Sequence, residues 1–219
     1  MEAETKRKYL SISAISMLGT CETKFYDTMF RVSAPSAAMK AGTAAHKAIE
    51  AKSPKMTKEQ IMSELRAGHH LDAREVMLFD AADRICGRVD HLQATGFMQN
   101  GRNTSLIIDD KYPQSPDRIF GMTLKYKIQL AGYAVAISNS ADYGSICRVI
   151  GTQLRYRETG TDRIIRQYEM DSSGLDSCTA NMPTAIGTAW RIYDREKEPE
   201  HRRLDVGSGE WVGCYCGPA

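Results

Sequence analysis

Two short stretches set acidic residues beside a basic one at strand-like spacing. Gly87-Arg88-Val89-Asp90 lies in one run of apolar and polar residues, and Asp109-Asp110-Lys111 closes the apolar run Leu106 to Ile108. Residues two apart in a strand face the same way, so Asp109 and Lys111 share a face while Asp110 turns to the other. If the strand carrying Asp90 lies alongside, Asp90 and Asp109 form a hard-oxygen pair of the kind that takes Mg²⁺ or Mn²⁺. An ammonium at Lys111 is placed to hold or deprotonate a water and to stabilise charge on a phosphoryl group. The bland alternative is solvated surface, since Asp-x-Lys recurs by chance.

Two further pairs carry polar groups at helical spacing. Gly42-Thr43-Ala44-Ala45-His46 supplies an imidazole, with Glu50 one turn later on the same face. A neutral His46 adds a nitrogen ligand and biases a carboxylate site towards Mn²⁺. Gln129 and Tyr133 are again one turn apart, where the ordinary alternative is amphipathic surface with a snorkelling tyrosine. Glu75 is an accessory carboxylate candidate.

The elements that must position these residues follow from hydrophobic periodicity. Helical spacing runs over 11–30, 37–51 and 57–67, the last opening on Thr57 with Glu59 in the turn that follows, read as a capping-box pattern. From Arg74 the period shortens: Val76 and Leu78, then Ile85, Val89 and Leu92, then Leu106 to Ile108 read as three successive strands, with Asn100-Gly101 in the turn between the last two. A helix over 123–138, strands over 145–156 and 163–170, and a helix over 172–196 complete the order, with an irregular tail. Helices, an antiparallel meander over 74–111, a helix and a strand pair predict an α/β fold with a central mixed β-sheet flanked by helices. The 219 residues are expected to form one domain: N-terminal helices over 11–67, a sheet core over 74–170, and a C-terminal helix and cysteine-containing tail over 172–219.

Lys and Arg total 29 against 27 Asp and Glu, so net charge alone names no polyanionic partner. Charge distribution is more informative. Arg148, Arg155, Arg157, Arg163 and Arg166 cluster in the last strand pair, where Gln153, Arg155 and Arg157 are expected on one face as a phosphate grip, or else as a solvated hairpin. No apolar run approaches a membrane span, and Met1 to Leu10 is not followed by a signal-type apolar segment, so an intracellular, cytoplasmic protein is expected. In that setting the six cysteines are thiols or metal ligands rather than a disulfide framework. Cys86, Cys147 and Cys178 also suit the ordinary role of small buried apolar residues.

In order and spacing, Gly42-Thr43-x-x-His46, Gly87-x-x-Asp90, Ile108-Asp109-x-Lys111 and Gln129-x-x-x-Tyr133 resemble the RecB-like branch of the PD-(D/E)XK nuclease superfamily, over about residues 9 to 170. The resemblance implies a restriction-endonuclease-like core and a Mg²⁺- or Mn²⁺-dependent DNA nuclease, an exonuclease of recombination or repair. Its partner would be DNA, single-stranded or with free ends, within a larger protein complex. His46, Asp90, Asp109 and the main-chain carbonyl of Asp110 would be metal ligands, Lys111 the catalytic lysine, and Gln129 and Tyr133 contacts to DNA or supports of the site. The alternative is a catalytically inactive subunit of the same fold that binds nucleic acid or protein. The resemblance extends to CRISPR-associated and AddB-type members, in which one N-terminal and three C-terminal cysteines hold a [4Fe-4S] cluster. Cys21, Cys214 and Cys216 fall in corresponding places, with one residue between the last two where the family has two. Cys178 is the remaining candidate thiolate, and a zinc site is the other reading.

Overall fold

The computed structural model describes residues 7–31, 34, 40, 42–44, 47–48, 51, 56–113, 115, 119–159, 161 and 163–214. Strand β1 (Leu10–Ser11) runs into the short helix α1 (Ile12–Ile15), whose start is capped by the Ser11 hydroxyl accepting the Ala14 amide at 3.2 Å. A 3-10 turn over Ser16–Gly19 and helix α2 (Glu22–Phe30) follow. The spacing predicts one helix over 11–30. The helix tightens into the 3-10 turn and breaks at Cys21, whose backbone is extended, while Gly19 packs against the backbone of Leu124 and Lys125, where a Cβ would come within 2.5 Å. The helix expected over 37–51 lies partly outside the described residues; helical backbone is present at 40, 42–44 and 47–48.

Helix α3 (Lys58–Ala67) carries a capping box at Thr57 as expected, but its partner is Gln60 rather than Glu59, because the reciprocal bond needs the residue three positions on: the Thr57 hydroxyl accepts the Gln60 amide at 3.3 Å and Gln60 Oε1 accepts the Thr57 amide at 2.8 Å. Strands β2 (His70–Asp80), β3 (Ile85–Gln99) and β4 (Arg102–Lys111) form the antiparallel meander. Asn100 and Gly101 both take positive φ, at 50° and 74°, as a two-residue turn matched to strand twist requires. Helix α4 (Leu124–Asn139) then crosses to β5 (Cys147–Arg157), parallel to β4, and β6 (Ile164–Met170) returns antiparallel to β5.

The helix expected over 172–196 is two helices, α5 (Ser172–Ala180) and α6 (Met182–Tyr193), broken at Asn181 with Pro183 in the first turn of α6. Proline has no amide to give to a preceding turn and is tolerated at a helix start. The tail is not irregular throughout: β7 (Arg202–Asp205) and β8 (Glu210–Gly213) form a separate hairpin. The main sheet runs β1-β3-β4-β5-β6, with β2 on the other edge of β3. Its core lies between the sheet and α4, which buries Ile128, Leu130, Ala131, Ala134 and Ile137, together with Ile12 and Ile15 of α1. Each Leu or Ile so buried contributes about 1.5–3 kcal/mol.

Candidate active site

The sheet opens at one point. β2 takes one edge of β3, so β1 and β4 share the other; β1 stops at the Ser11–Cys86 pair and β4 departs after the Ile108–His91 pair. Among the described residues no strand covers Gly87 to Asp90 on that edge, while β4 continues beside β5 as far as the Lys111–Tyr156 pair. Asp90 bridges the opening: its Oδ2 accepts the Asp110 amide at 2.8 Å.

Strand phase decides what faces the opening. Glu75 has φ +55°, and buried alternation in β2 switches there, from Leu71 and Ala73 to Val76 and Leu78. β3 switches at the same level, from Val89 to Leu92 and Ala94, so Asp90 and His91 stand at the break. Asp109 faces α4, where Gln129 Nε2 donates to its Oδ1 at 3.2 Å and to the Tyr133 hydroxyl at 3.1 Å. Tyr133 fits because position 87 is glycine; a Cβ there would lie 2.7 Å from its ring. Lys111 Nζ sits 2.5 Å from Asp109 Oδ2.

This crowding sets the protonation states. Burial, reinforced by the Asp109 and Glu75 carboxylates, pushes Asp90 up to about 7 against the pull of Lys111 and the Asp110 amide. Burial would lower the Lys111 ammonium, but Asp109 and Asp90 outweigh it and hold its pKa above the ordinary lysine value. Burial, then the charge of Asp109, raises the Tyr133 phenol. A cleft of about 580 Å³ opens beside Asp90 and is lined by Ser13, Thr43, Lys47, Glu75, Arg88 and Tyr133. Arg88 Nε pairs with Glu75 Oε2 at 2.7 Å. Thr43 and Lys47 bracket His46 in sequence; His46 itself lies outside the described residues. Asp90, Asp109 and Glu75 are oxygen donors suited to a hard divalent cation, and their mutual repulsion is what such a cation would relieve.

The far face of the same strands carries a second polar system. Asp110 Oδ2 lies 3.0 Å from His91 Nε2 and 2.8 Å from Arg157 Nε, and His91 Nδ1 lies 3.0 Å from Asp72 Oδ1. Burial would lower the His91 pKa, but the hydrogen bonds to Asp110 and Asp72 win and raise it. Burial would raise Asp110, yet His91 and Arg157 bring it below the usual carboxylate value. This corrects the expected role of Arg157: its side chain is 9% exposed and ion-paired, and so is not presented to phosphates. Arg155 lies on this same face beside Asp110, with Nε bonded to Gln153 and Gln167, away from Asp109 and Lys111. Gln129 and Tyr133 are both buried, so they support Asp109 rather than reach into solvent.

The cysteines also assemble differently from expectation. Cys21 Sγ lies 2.8 Å from Cys214 Sγ, and His201, which the sequence reading passed over, completes a group able to coordinate a metal. Cys178 does not join it: it is buried on α5 with its Sγ 3.6 Å from Met170 Sδ. Cys216 lies outside the described residues. His91 and Asp72 were missed because the register that sets them side by side on consecutive strands is not marked in the sequence, and His201 because its partner Cys21 is distant in sequence. The one local signal was the position of His91 immediately after Asp90.

No protein-family profile matches the sequence, and no curated protein does. Solved structures do. An alkaline exonuclease, LHK-Exo, from Laribacter hongkongensis is 12% identical over 87% of this chain and 90% of its own, with a TM-score of 0.50. A putative exonuclease from Eubacterium rectale is 14% identical over 90% of this chain and 85% of its own, with a TM-score of 0.53. At such identities the likeness is one of fold: this chain has the mixed sheet flanked by helices of PD-(D/E)XK-type exonuclease structures.

Proposed function

We propose that this chain is a Mg²⁺- or Mn²⁺-dependent deoxyribonuclease, an exonuclease acting on DNA ends in recombination or repair. The observation that carries the reading is the meeting of Asp90, Asp109 and Lys111 at the opening of the sheet, with Asp90 raised to about 7 by burial beside a second carboxylate. The described donors fit: Asp90 and Asp109 would hold the ion, with the Asp110 main-chain carbonyl beside them, and the resemblance of the sequence adds His46, which lies outside the described residues. When bound, the ion supplies Lewis-acid stabilisation of phosphoryl oxygens and lowers the pKa of a coordinated water.

The remaining chemistry belongs to side chains. The Lys111 ammonium, kept protonated by its two carboxylate neighbours, donates to a phosphoryl oxygen as negative charge develops, and serves as a charge stabiliser rather than a base. Gln129 fixes the Asp109 carboxylate by donating to Oδ1, and Tyr133 fixes Gln129. Lys47 and Arg88, at the rim of the cleft, supply phosphate contacts that position a strand without reading its sequence.

Digestion of 5′-labelled and 3′-labelled single-stranded and duplex DNA with Mg²⁺, Mn²⁺ or EDTA tests the reading. Cleavage is expected with either ion and none with EDTA. Lys111→Ala and Asp109→Ala should each lose at least about 10²-fold in rate, with DNA affinity retained. Ion-dependent turnover by either variant near the wild-type rate overturns the assignment, and DNA binding without cleavage by the intact chain would make it a non-catalytic member of the fold.

A further inference from the structure

The two ends of the described chain meet at a second donor cluster that shares no residue with the proposed nuclease site. Cys21 is the N-cap of α2 and is fully buried. The Cys214 amide donates to the His201 carbonyl at 3.3 Å, one step beyond the Arg202–Gly213 pair of the β7–β8 hairpin. His201 and Cys214 are thus cross-strand neighbours whose side chains leave the hairpin together. A strap of ion pairs fixes that end against α2: Glu22, fully buried, accepts from Lys197 Nζ at 2.5 Å, Arg202 Nε at 2.9 Å and the Glu200 amide at 2.9 Å. The Cys21 thiol is also within reach of the Glu200 carbonyl, at 3.7 Å. One ligand atom from each of Cys21, His201 and Cys214 lies within 4.8 Å of the other two.

We infer that Cys21, His201 and Cys214 bind a single zinc ion that staples α2 to the C-terminal hairpin, in place of the iron-sulfur cluster expected from the sequence. Geometry separates the two. One tetrahedral ion with Zn–S of about 2.3 Å and Zn–N of about 2.0 Å spaces its ligand atoms by roughly 3.5–3.8 Å, a spacing that three atoms lying within 4.8 Å of one another reach by small side-chain shifts. A [4Fe-4S] cube places a different iron under each of four thiolates and spreads them around its corners. The described residues offer two thiolates and an imidazole, and Cys178 is turned to Met170. Mixed nitrogen and sulfur donors are the zinc pattern. Binding converts both thiols to thiolates, releases two protons, and moves the sulfurs apart from 2.8 Å by about 1 Å. Solvent takes the fourth position.

The test uses the full chain, purified under reducing conditions from cells grown with both zinc and iron. Metal analysis should find one zinc and no iron per chain, and no broad absorbance near ~400 nm. Cys21→Ser and His201→Ala should each lose the zinc, whereas Cys178→Ser should keep it. Chelation should lower the wild-type Tm by about 5 °C or more, and ZnCl2 alone should restore it. Should the variants fail to fold, wild-type protein loaded with Co²⁺ should show the intense visible bands of a tetrahedral thiolate site. Stoichiometric iron with sulfide, zinc retained by His201→Ala, or a chain whose Cys21 and Cys214 are disulfide-bonded and which takes up no zinc after reduction would each overturn the inference. All of these readouts are separate from DNA cleavage, so their failure leaves the nuclease reading in place.

Discussion

Replacing Arg157 with methionine should cost the protein about 3 kcal/mol without touching the cleft. The Asp110 side chain is 3% exposed, and its Oδ2 is held by Arg157 Nε at 2.8 Å and His91 Nε2 at 3.0 Å. Methionine keeps the bulk of the stem, so the main change is electrostatic: a buried carboxylate loses one of its two cationic partners. Breaking a buried pair costs about 3–5 kcal/mol when the other charge is stranded, and the remaining His91 bond places this case at the lower end. Against a total stability of roughly 5–15 kcal/mol that is a large fraction. With a urea m-value of about 2–3 kcal/mol/M, the midpoint should fall by about 1 M at pH 7. Adding Asp110→Leu removes the stranded charge, so the double variant should recover much of the loss, a strong non-additivity for groups in direct contact. The reasoning fails if Arg157→Met loses less than about 1 kcal/mol, or if the double variant loses the sum of the two single changes.

The same network makes stability depend on pH in a stated direction. The His91 pKa is raised in the folded state, so its contribution is complete below the unfolded value near 6.5 and is lost as pH rises through the folded one. Thermal melts should show the wild type losing stability on the alkaline side of ~6.5, and Asp72→Asn, which removes one of the two partners of His91, should flatten that slope; equal slopes would argue against a charged His91. For DNA binding, Lys47→Ala at the cleft rim should reduce the salt dependence of affinity by about one unit of slope, while Arg155→Ala on the far face leaves it unchanged. A reversed pattern in a fluorescence anisotropy titration would place the DNA on the opposite side of the sheet.

How much of this could be read in advance depends on whether the controlling geometry is local. The meander, its Asn100-Gly101 turn and the capping box at Thr57 are set by near neighbours, and period-two alternation was enough to put Asp109 with Lys111 and Asp110 opposite them. Alternation failed where backbone irregularity intervenes. Glu75 takes positive φ although it is not glycine, which switches the phase of β2 and leaves Asp90 at a break that no composition signal marks. At β5 alternation held, since Gln153, Arg155 and Arg157 do share one face, but it could not show that Asp110 of the neighbouring strand lies on that face and buries Arg157 in an ion pair.

The second metal-type site was hidden for a related reason. Two four-residue strands joined by a Gly-, Ser-containing turn carry too little periodicity to register, so the pairing that sets His201 opposite Cys214 could not be inferred, and without it Cys178 looked as good a ligand as any. Cysteine buried among apolar side chains and cysteine bound to metal are the same residue in a sequence; only the company distinguishes them. At Cys178 that company is Met170, and burial raises the thiol pKa, a setting that suppresses the thiolate. At Cys21 it is a second sulfur and an imidazole, brought by the C-terminal hairpin some 180 residues away in sequence, beside the neighbouring Glu22 that straps that segment down. That long closure is itself an argument for a metal: holding such distant segments costs loop entropy that grows only slowly with length, so one coordination site at the junction can stabilise the whole C-terminal hairpin against α2.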